Sequence, residues 1–303
     1  IQRMDSSNGT YDFIRYSPIV NQGITTRMDF FDINGDGLPD RVMSQSGTNY
    51  WKVQLNTGSG FGNIVTWTGV QTRLSGADCY YIRNTSSAHE TSIEIADLNG
   101  DGLPDRIQSD DSNLNWKVQW NTGSGFTPME DFGTIWTPST WVRLYHVRLS
   151  SDAGEAGVDL FDVNSDGLAD RVQATDSNTA WKVQYNTGVG FTSQQDFSGI
   201  ANASTSVRYS YPRWTDAGGT QAVDFSDIDG DGIADRLQTA GGSTWKIQKN
   251  KGPYPDLLKE IKNGRGGKTA ITYAASTGFD NTDTNGKQRL PFPIEVVSQV
   301  DQS

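Results

Sequence analysis

Phe31–Val42 reads FDINGDGLPDRV, and the same twelve-residue phrase returns as ADLNGDGLPDRI from Ala96, FDVNSDGLADRV from Phe161 and SDIDGDGIADRL from Ser226. The leading acids, Asp32, Asp97, Asp162 and Asp227, stand 65 residues apart each time. A second block keeps phase with the first: WKVQLNTGSGF from Trp51, WKVQWNTGSGF from Trp116, WKVQYNTGVGF from Trp181 and WKIQKNKG from Trp245. Two blocks in fixed phase over four copies define an internal repeat, and a repeat of this length sets the architecture before any single element does.

Each copy reads as β-structure. Ahead of the phrase, apolar and acidic residues alternate (Met28-Asp29-Phe30, Ile93-Glu94-Ile95, Val158-Asp159-Leu160, Val223-Asp224-Phe225). In the second block Trp51, Val53 and Leu55 share one face and Lys52 and Gln54 the other, a period of two. Asn-Thr-Gly-Ser-Gly then closes a turn. With the β-prone stretches between blocks, such as 140–150 and 205–211, each copy holds about four strands, the make-up of a β-propeller blade. The predicted fold is therefore all-β: a propeller of about 65-residue, four-stranded blades over residues 1–252. The pattern fails at Lys249 and at Gly252-Pro253-Tyr254-Pro255, so residues 253–303 are expected to form a linker and a short β segment leading into a following domain. Strands are expected there at 257–263, 268–273 and 294–300. Four blades are few for a closed ring; either further sequence supplies more, or the first thirty residues and the tail help to close it.

The phrase itself is a metal loop. Side-chain oxygens fall at positions 1, 3, 5 and 9, with a glycine at position 6 and a backbone carbonyl on offer at position 7. The ligand sets are Asp32, Asn34, Asp36, Leu38 and Asp40; Asp97, Asn99, Asp101, Leu103 and Asp105; Asp162, Asn164, Asp166, Leu168 and Asp170; and Asp227, Asp229, Asp231, Ile233 and Asp235. Calcium takes six to eight oxygens at flexible distances, which a short loop wound around the ion provides. Gly37, Gly102, Gly167 and Gly232 are expected at positive φ. An EF-hand is excluded, because position 12 is Met43 or a glutamine (Gln108, Gln173, Gln238) and the flanks are strands. The simpler alternative, plain Asp-Gly hairpin turns, does not account for the retention of every ligand position. Thirteen carboxylates lie in the four loops, and carboxylates so crowded repel unless a cation sits among them. About four structural Ca²⁺ are expected, which would carry the formal net charge from −11 to −3. Magnesium fits less well because it holds to strict octahedral geometry.

Hydrophobic residues make up only 34% of the chain, mean hydropathy is −0.58, and 33 glycines fit many short strands and tight turns. The acidic balance argues against nucleic acid and anionic membranes as partners. No apolar run approaches the roughly 18 residues that span a bilayer, so membrane insertion is not expected of this stretch. One cysteine, Cys79, excludes an intrachain disulfide framework, and nothing near it in sequence would activate the thiol. A start at Ile1 without a signal-peptide pattern reads as an excised piece whose targeting information lies elsewhere.

The D-x-[DN]-x-D-G-x-x-D loop on a strand every 65 residues resembles the FG-GAP/VCBS repeats of integrin α-chain propellers and related bacterial surface proteins. In the tail, Asp256-Leu257-Leu258, Asn263-Gly264-Arg265-Gly266-Gly267-Lys268-Thr269, Ile271-Thr272-Tyr273 and Leu290-Pro291-Phe292-Pro293 resemble the segment joining propeller to Rhs/YD-repeat shell in the B component of insecticidal toxin complexes. The resemblance implies a secreted or surface bacterial protein whose propeller docks on a translocation or assembly component. No catalytic set can be read: the two histidines, His89 and His146, lie far apart and outside the repeated blocks, and the acids concentrate in the loops. The chain is expected not to be an enzyme. The rival reading is a carbohydrate-binding, lectin-type propeller, with Trp67, Trp136, Trp141 and Trp214 as sugar platforms. The arginines after each loop (Arg41, Arg106, Arg171, Arg236) are expected to pair across the hairpin with Asp29, Glu94, Asp159 and Asp224, or else to hold a ligand. Trp51, Trp116, Trp181 and Trp245 are expected to pack between units.

Overall fold

A computed structural model of the chain describes residues 14–20, 23–44, 47–72, 80–86, 88–109, 115–136, 145–150, 156–174, 180–203, 210–215, 221–231, 233–239, 244–251, 257–280 and 295–303. The fold is all-β, and its tail includes a 3-10 turn at Ser276–Gly278. A short antiparallel pair, β1 (Ile19–Val20) and β2 (Gly23–Thr26), precedes the repeats. The first unit is a meander of β3 (Met28–Phe31), β4 (Asp40–Ser44), β5 (Trp51–Asn56) and β6 (Phe61–Trp67). The second holds β7 (Arg83–Thr85), β8 (Glu90–Ala96), β9 (Asp105–Gln108), β10 (Asn115–Gln119) and β11 (Glu130–Thr134). The third holds β12 (Arg148–Ser150), β13 (Ala156–Phe161), β14 (Asp170–Ala174), β15 (Ala180–Gln184) and β16 (Gln195–Ser198). The fourth holds β17 (Trp214–Thr215), β18 (Gln221–Ser226), β19 (Asp235–Thr239) and β20 (Trp245–Gln248).

The units are not all separate sheets. β2 pairs with β7, and β8 pairs with β12, so β1, β2 and the second and third units make one twelve-stranded sheet. The first and fourth units remain four-stranded sheets. The tail forms its own antiparallel sheet of β21 (Glu260–Lys262), β22 (Lys268–Ala275) and β23 (Glu295–Gln302), with Gly266 at φ 92° in the turn between the first two.

The core lies at the junctions between units. Ile33, Val42, Trp51 and Val53 of the first unit pack with Ile82, Ile95 and Phe126 of the second. Leu98, Ile107, Trp116 and Val118 meet Val147 and Leu160 of the third, and Val163, Val172, Trp181 and Val183 meet Phe225 of the fourth. Phe126 stands edge-on to Trp51 at 5.1 Å, and Phe191 to Trp116 at 5.3 Å, an arrangement that aromatic quadrupoles favour. The polar faces of the second blocks in the second and third units are partly covered as well. Gln119 and Gln184 are buried and donate to Gly69 and Thr134 of the preceding unit at 2.6 and 3.0 Å.

Two sequence expectations are corrected here. Trp51, Trp116 and Trp181 are fully buried, but Trp245 is exposed, because among the described residues no unit packs on its side of β20. The arginines after the loops do not pair with the acids ahead of them. Arg41 stands opposite Phe30, while Asp29 stands opposite Val42, so the alternation of the strand puts Arg41 and Asp29 on opposite faces. Arg106, Arg171 and Arg236 instead lie over Trp51, Trp116 and Trp181 of the unit before, 5.3 to 5.9 Å from ring centre, and donate to the carbonyls of Gln71, Trp136 and Ala201. The acids are met by other arginines. Arg15 and Arg83 both bind Asp29; Arg83 also binds Glu94; Arg213 binds Asp159 at 2.6 Å and Asp224 at 3.0 Å. Arg148 stands between Glu94 and Asp159 at 3.8 and 3.4 Å, completing a ladder of alternating charge across all four units.

Candidate metal centres

Each candidate loop connects the two strands of a tight hairpin, whose last paired residues are Phe31 and Asp40, Ala96 and Asp105, Phe161 and Asp170, and Ser226 and Asp235. Within the first loop the backbone winds around the position-1 carboxylate. Asp32 accepts from the amides of Gly35 at 2.7 Å, Asp36 at 3.1 Å and Gly37 at 2.6 Å. Asp36 in turn accepts from Leu38 N at 2.9 Å and from the Asn34 side-chain amide at 3.0 Å. The second and third loops repeat the essentials: Gly102 N reaches Asp97, Gly167 N reaches Asp162, and the Asn99 and Asn164 amides reach Asp101 and Asp166 at 3.0 Å. Gly37, Gly102 and Gly167 sit at φ 82° to 85°, and a Cβ on any of them would meet no atom within 4 Å; glycine is there for its conformation alone. Gly232 lies outside the described residues.

The position-9 acids play a second part. Asp40 is buried and takes the amides of Ile33 at 3.1 Å and Asn56 at 2.8 Å, one on each carboxylate oxygen. Asp105, Asp170 and Asp235 make the same pair of bonds to Leu98 and Asn121, Val163 and Asn186, and Ile228 and Asn250. Each therefore ties its loop to the strand after the next turn. Burial pushes the carboxyls of Asp105 and Asp170 up to about 7; the amides on each pull the other way, and the loop partners, Asp101 and Asp97 or Asp166 and Asp162, raise them further. Burial is also the largest cause of the upward shifts of Asp40 and Asp162.

The carboxylates of the fourth loop fit a calcium-sized cation. In the fourth loop Asp227, Asp229 and Asp235 place carboxylate oxygens within 4.8 Å of one another. Two oxygens on opposite sides of an ion bound at about 2.4 Å are about 4.8 Å apart, so the spacing suits hard-cation coordination. One residue that sequence reasoning left unassigned intrudes: Lys249 Nζ stands 2.8 Å from Asp229 Oδ2 and holds that carboxyl below its usual range. The signal was visible as a lysine where the other copies carry Leu55, Trp120 and Tyr185. Neighbouring loops also touch. A Cβ on Gly35 would come within 2.9 Å of Leu103 Cδ2, and one on Gly100 within 3.0 Å of Leu168 Cδ2, so the position-7 side chain of one loop rests on the glycine of the loop before it.

The other residues weighed in the sequence find plain structural places. His146 is buried 3.9 Å from Glu90, at the repeat position that Tyr16, Tyr81 and Tyr211 hold in the other copies. Trp67 is buried, Trp136 and Trp214 are partly exposed at unrelated repeat positions, and Trp141 and Cys79 lie outside the described residues. No common platform of tryptophans recurs from unit to unit among the described residues.

The chain is an all-β array of Asp-loop repeats followed by a separate three-stranded tail sheet. Residues 32–107 match the FG-GAP-like repeat family, and residues 192–302 match the insecticide toxin TcdB middle/N-terminal region. The first matched segment is thus similar to FG-GAP-like repeats, and the second, from the end of the third unit into the tail, to the middle/N-terminal region of an insecticide toxin. No curated protein sequence matches it. Among solved structures it is similar to TcdB2-TccC3 without its hypervariable C-terminal region (16% identity, TM-score 0.48, 91% of this chain and 11% of that one). It is also similar to the Photorhabdus luminescens Tc holotoxin pore (15%, 0.34, 91% and 16%) and to an Agrocybe aegerita lectin that recognises non-reducing terminal N-acetylglucosamine (17%, 0.44, 81% and 55%). The chain spans a small fraction of the toxin chains and about half of the lectin chain. Among the described residues no helix is long and apolar enough to cross a membrane.

The raised carboxyls set a pH dependence. A carboxyl whose folded pKa exceeds its unfolded value near 3.9 stabilises the fold below that value and loses the contribution as pH rises through about 7. A calcium ion bound there would need the ionised form and so would compete with protons at these positions. Its apparent affinity is expected to rise up to about tenfold per pH unit per displaced proton between pH 5.5 and 7. Titrations at those two pH values check this; an affinity independent of pH would contradict it.

Proposed function

We propose that this chain is a non-enzymatic β-propeller scaffold, stabilised by about four calcium ions, that docks a protein partner within a secreted bacterial toxin-complex-like protein. The observation that carries the reading is the fourfold recurrence of a wound carboxylate nest over a buried acid that clamps the adjoining strand. Such a nest converts cation binding into stability of the whole hairpin, because the ion holds the same loop whose position-9 acid anchors the next strand but one. The ligands are the position-1, -3, -5 and -9 side chains and the position-7 carbonyls of Leu38, Leu103, Leu168 and Ile233. The similarity of residues 192–302 to the TcdB region supports a place in a multi-component assembly. The partner class is the translocation or assembly component.

The test is binding of the chain to a purified toxin-complex translocation component, by biolayer interferometry, with calcium and again with excess EDTA. Saturable binding that weakens at least tenfold in EDTA supports the reading. A glycan-array signal with no protein binding would replace it with a lectin.

A further inference from the structure

The first two junctions between units are closed by the same strap. Gly125–Phe126 crosses the end of the first unit: the Phe126 amide donates to Thr68 O at 2.9 Å, and a Cβ on Gly125 would come within 3.0 Å of that carbonyl. One repeat later Gly190–Phe191 crosses the end of the second unit, where a Cβ on Gly133 would come within 2.9 Å of Phe191 N. Thr68 and Gly133 hold the same repeat position. The rings of the straps fill the junctions. Phe126 stands edge-on to Trp51, and Phe191 stands edge-on to Trp116 and, at 5.2 Å, to Phe132. Beside them Trp67 and Phe132, which share one repeat position, are 2% and 0% exposed.

The third junction carries no such sequence. In register with Gly125–Phe126 the fourth copy has Tyr254 and Pro255, so a side chain replaces the glycine and the proline has no amide hydrogen to donate. Phe225, in the place of Ile95 and Leu160, turns edge-on to Trp181 at 5.7 Å and helps to cover the indole. Phe197, the repeat mate of Trp67 and Phe132, is left only partly buried, and Ser198, the mate of Thr68 and Gly133, is exposed. A cavity of about 350 Å³ opens here between the third and fourth units, with Phe197, Ser198 and Phe225 in its wall and Lys249 and Lys251 beside them. Those lysines stand where the third unit has Tyr185 and Thr187. Both units that frame the cavity are present, so it lies inside the array and not at an end of it.

We infer that this cavity receives a strap from a partner protein: an extended glycine-aromatic pair with an acidic residue next to it. The glycine lets the incoming backbone lie against Ser198, as Gly125 lies against Thr68. The ring covers Phe197 as Phe191 covers Phe132, in the edge-on geometry that aromatic pairs favour. The acid faces Lys251, which is exposed. The volume suits one large side chain with its backbone. The strap depends on the scaffold reading for its partner and gives that partner one place of attachment.

Titration of the full chain, in calcium, with acetyl-Gly-Phe-Asp-amide tests this, with saturation-transfer NMR on the ring protons of the peptide as the readout. Saturable binding at one site is expected. Alanine in place of the phenylalanine of the peptide should weaken it at least about tenfold, because a buried ring is lost. Acetyl-Ala-Phe-Asp-amide should bind about fivefold more weakly or worse, since its added Cβ presses on the Ser198 carbonyl. Acetyl-Gly-Phe-Lys-amide should also bind more weakly, and K251E should reverse that preference. F197A, checked for folding by circular dichroism, should lose the ring signal. Binding indifferent to the glycine and the ring overturns the inference, as does 3-phenylpropionate binding as tightly as the peptide, which would make the cavity a small-molecule site. No binding also overturns it, and a Y254A variant that then takes up the peptide would give the seat to the chain's own tyrosine. Docking to the translocation component without peptide binding would remove this seat and leave the scaffold reading standing; peptide binding without that docking would do the reverse.

Discussion

Stripping calcium from the chain is expected to lower its melting temperature by on the order of 20 °C or more. Each site contributes about 2.7 kcal/mol when free calcium stands 100-fold above its Kd, and four such sites sum to roughly 10 kcal/mol. For a chain of this size one kcal/mol moves the midpoint by about 2–4 °C. The structural reason lies in the buried acids: Asp105 and Asp170 are held in place by two amides each while neighbouring carboxylates crowd them, so the metal-free loop keeps its geometry against repulsion. Scanning calorimetry in calcium and in EDTA measures the difference. The fourth loop should contribute least, because Lys249 already answers one of its carboxylates; K249L is expected to tighten calcium there while leaving the other three loops unchanged. Superimposable melts with and without EDTA would contradict the account.

The second large effect separates two tryptophans that the sequence places at the same repeat position. W116A removes an indole that is fully buried, donates to Tyr145 O at 2.7 Å and stands edge-on to Phe191 at 5.3 Å. Such truncations cost about 3–5 kcal/mol, through lost burial and the cavity left behind. W245A, made where the ring faces solvent, is expected to cost no more than about 0.5 kcal/mol. Urea midpoints of the two variants check the contrast, and equal losses would show that Trp245 is packed like its mates.

The part of this molecule legible in the sequence is the part set by local chemistry. Strand alternation, the position of the hairpin loops, the left-handed glycines and the three tail strands all follow from spacing and residue type within a dozen residues. That each set of candidate donors shares one hairpin was legible for the same reason, since its positions all lie within one short segment. What could not be read was decided between units. The acids ahead of the loops are answered by arginines 54 residues further on, as Asp29 is by Arg83, and not by the arginines a strand away, because only the pairing register reveals that Arg41 turns its side chain to the opposite face. Likewise Leu103 rests on Gly35 and Asn121 reaches Ile33 across 88 residues, contacts that exist only once the units are stacked. Trp245 failed as a core residue for a related reason: the motif prepares a side chain for burial, but the neighbouring unit has to supply the cover.

The most direct measurement of the central claim is a calorimetric titration of the EDTA-stripped chain with calcium at pH 7. The account predicts binding of about four ions, with protons released as the buried carboxyls of Asp105 and Asp170 give up theirs. Alanine at Asp36, Asp101, Asp166 or Asp231 should remove one ion apiece. No uptake of calcium, with an unaltered fold, would mean that the four loops are hairpin turns closed by their own amides, and the stabilising role assigned to the ion would be wrong.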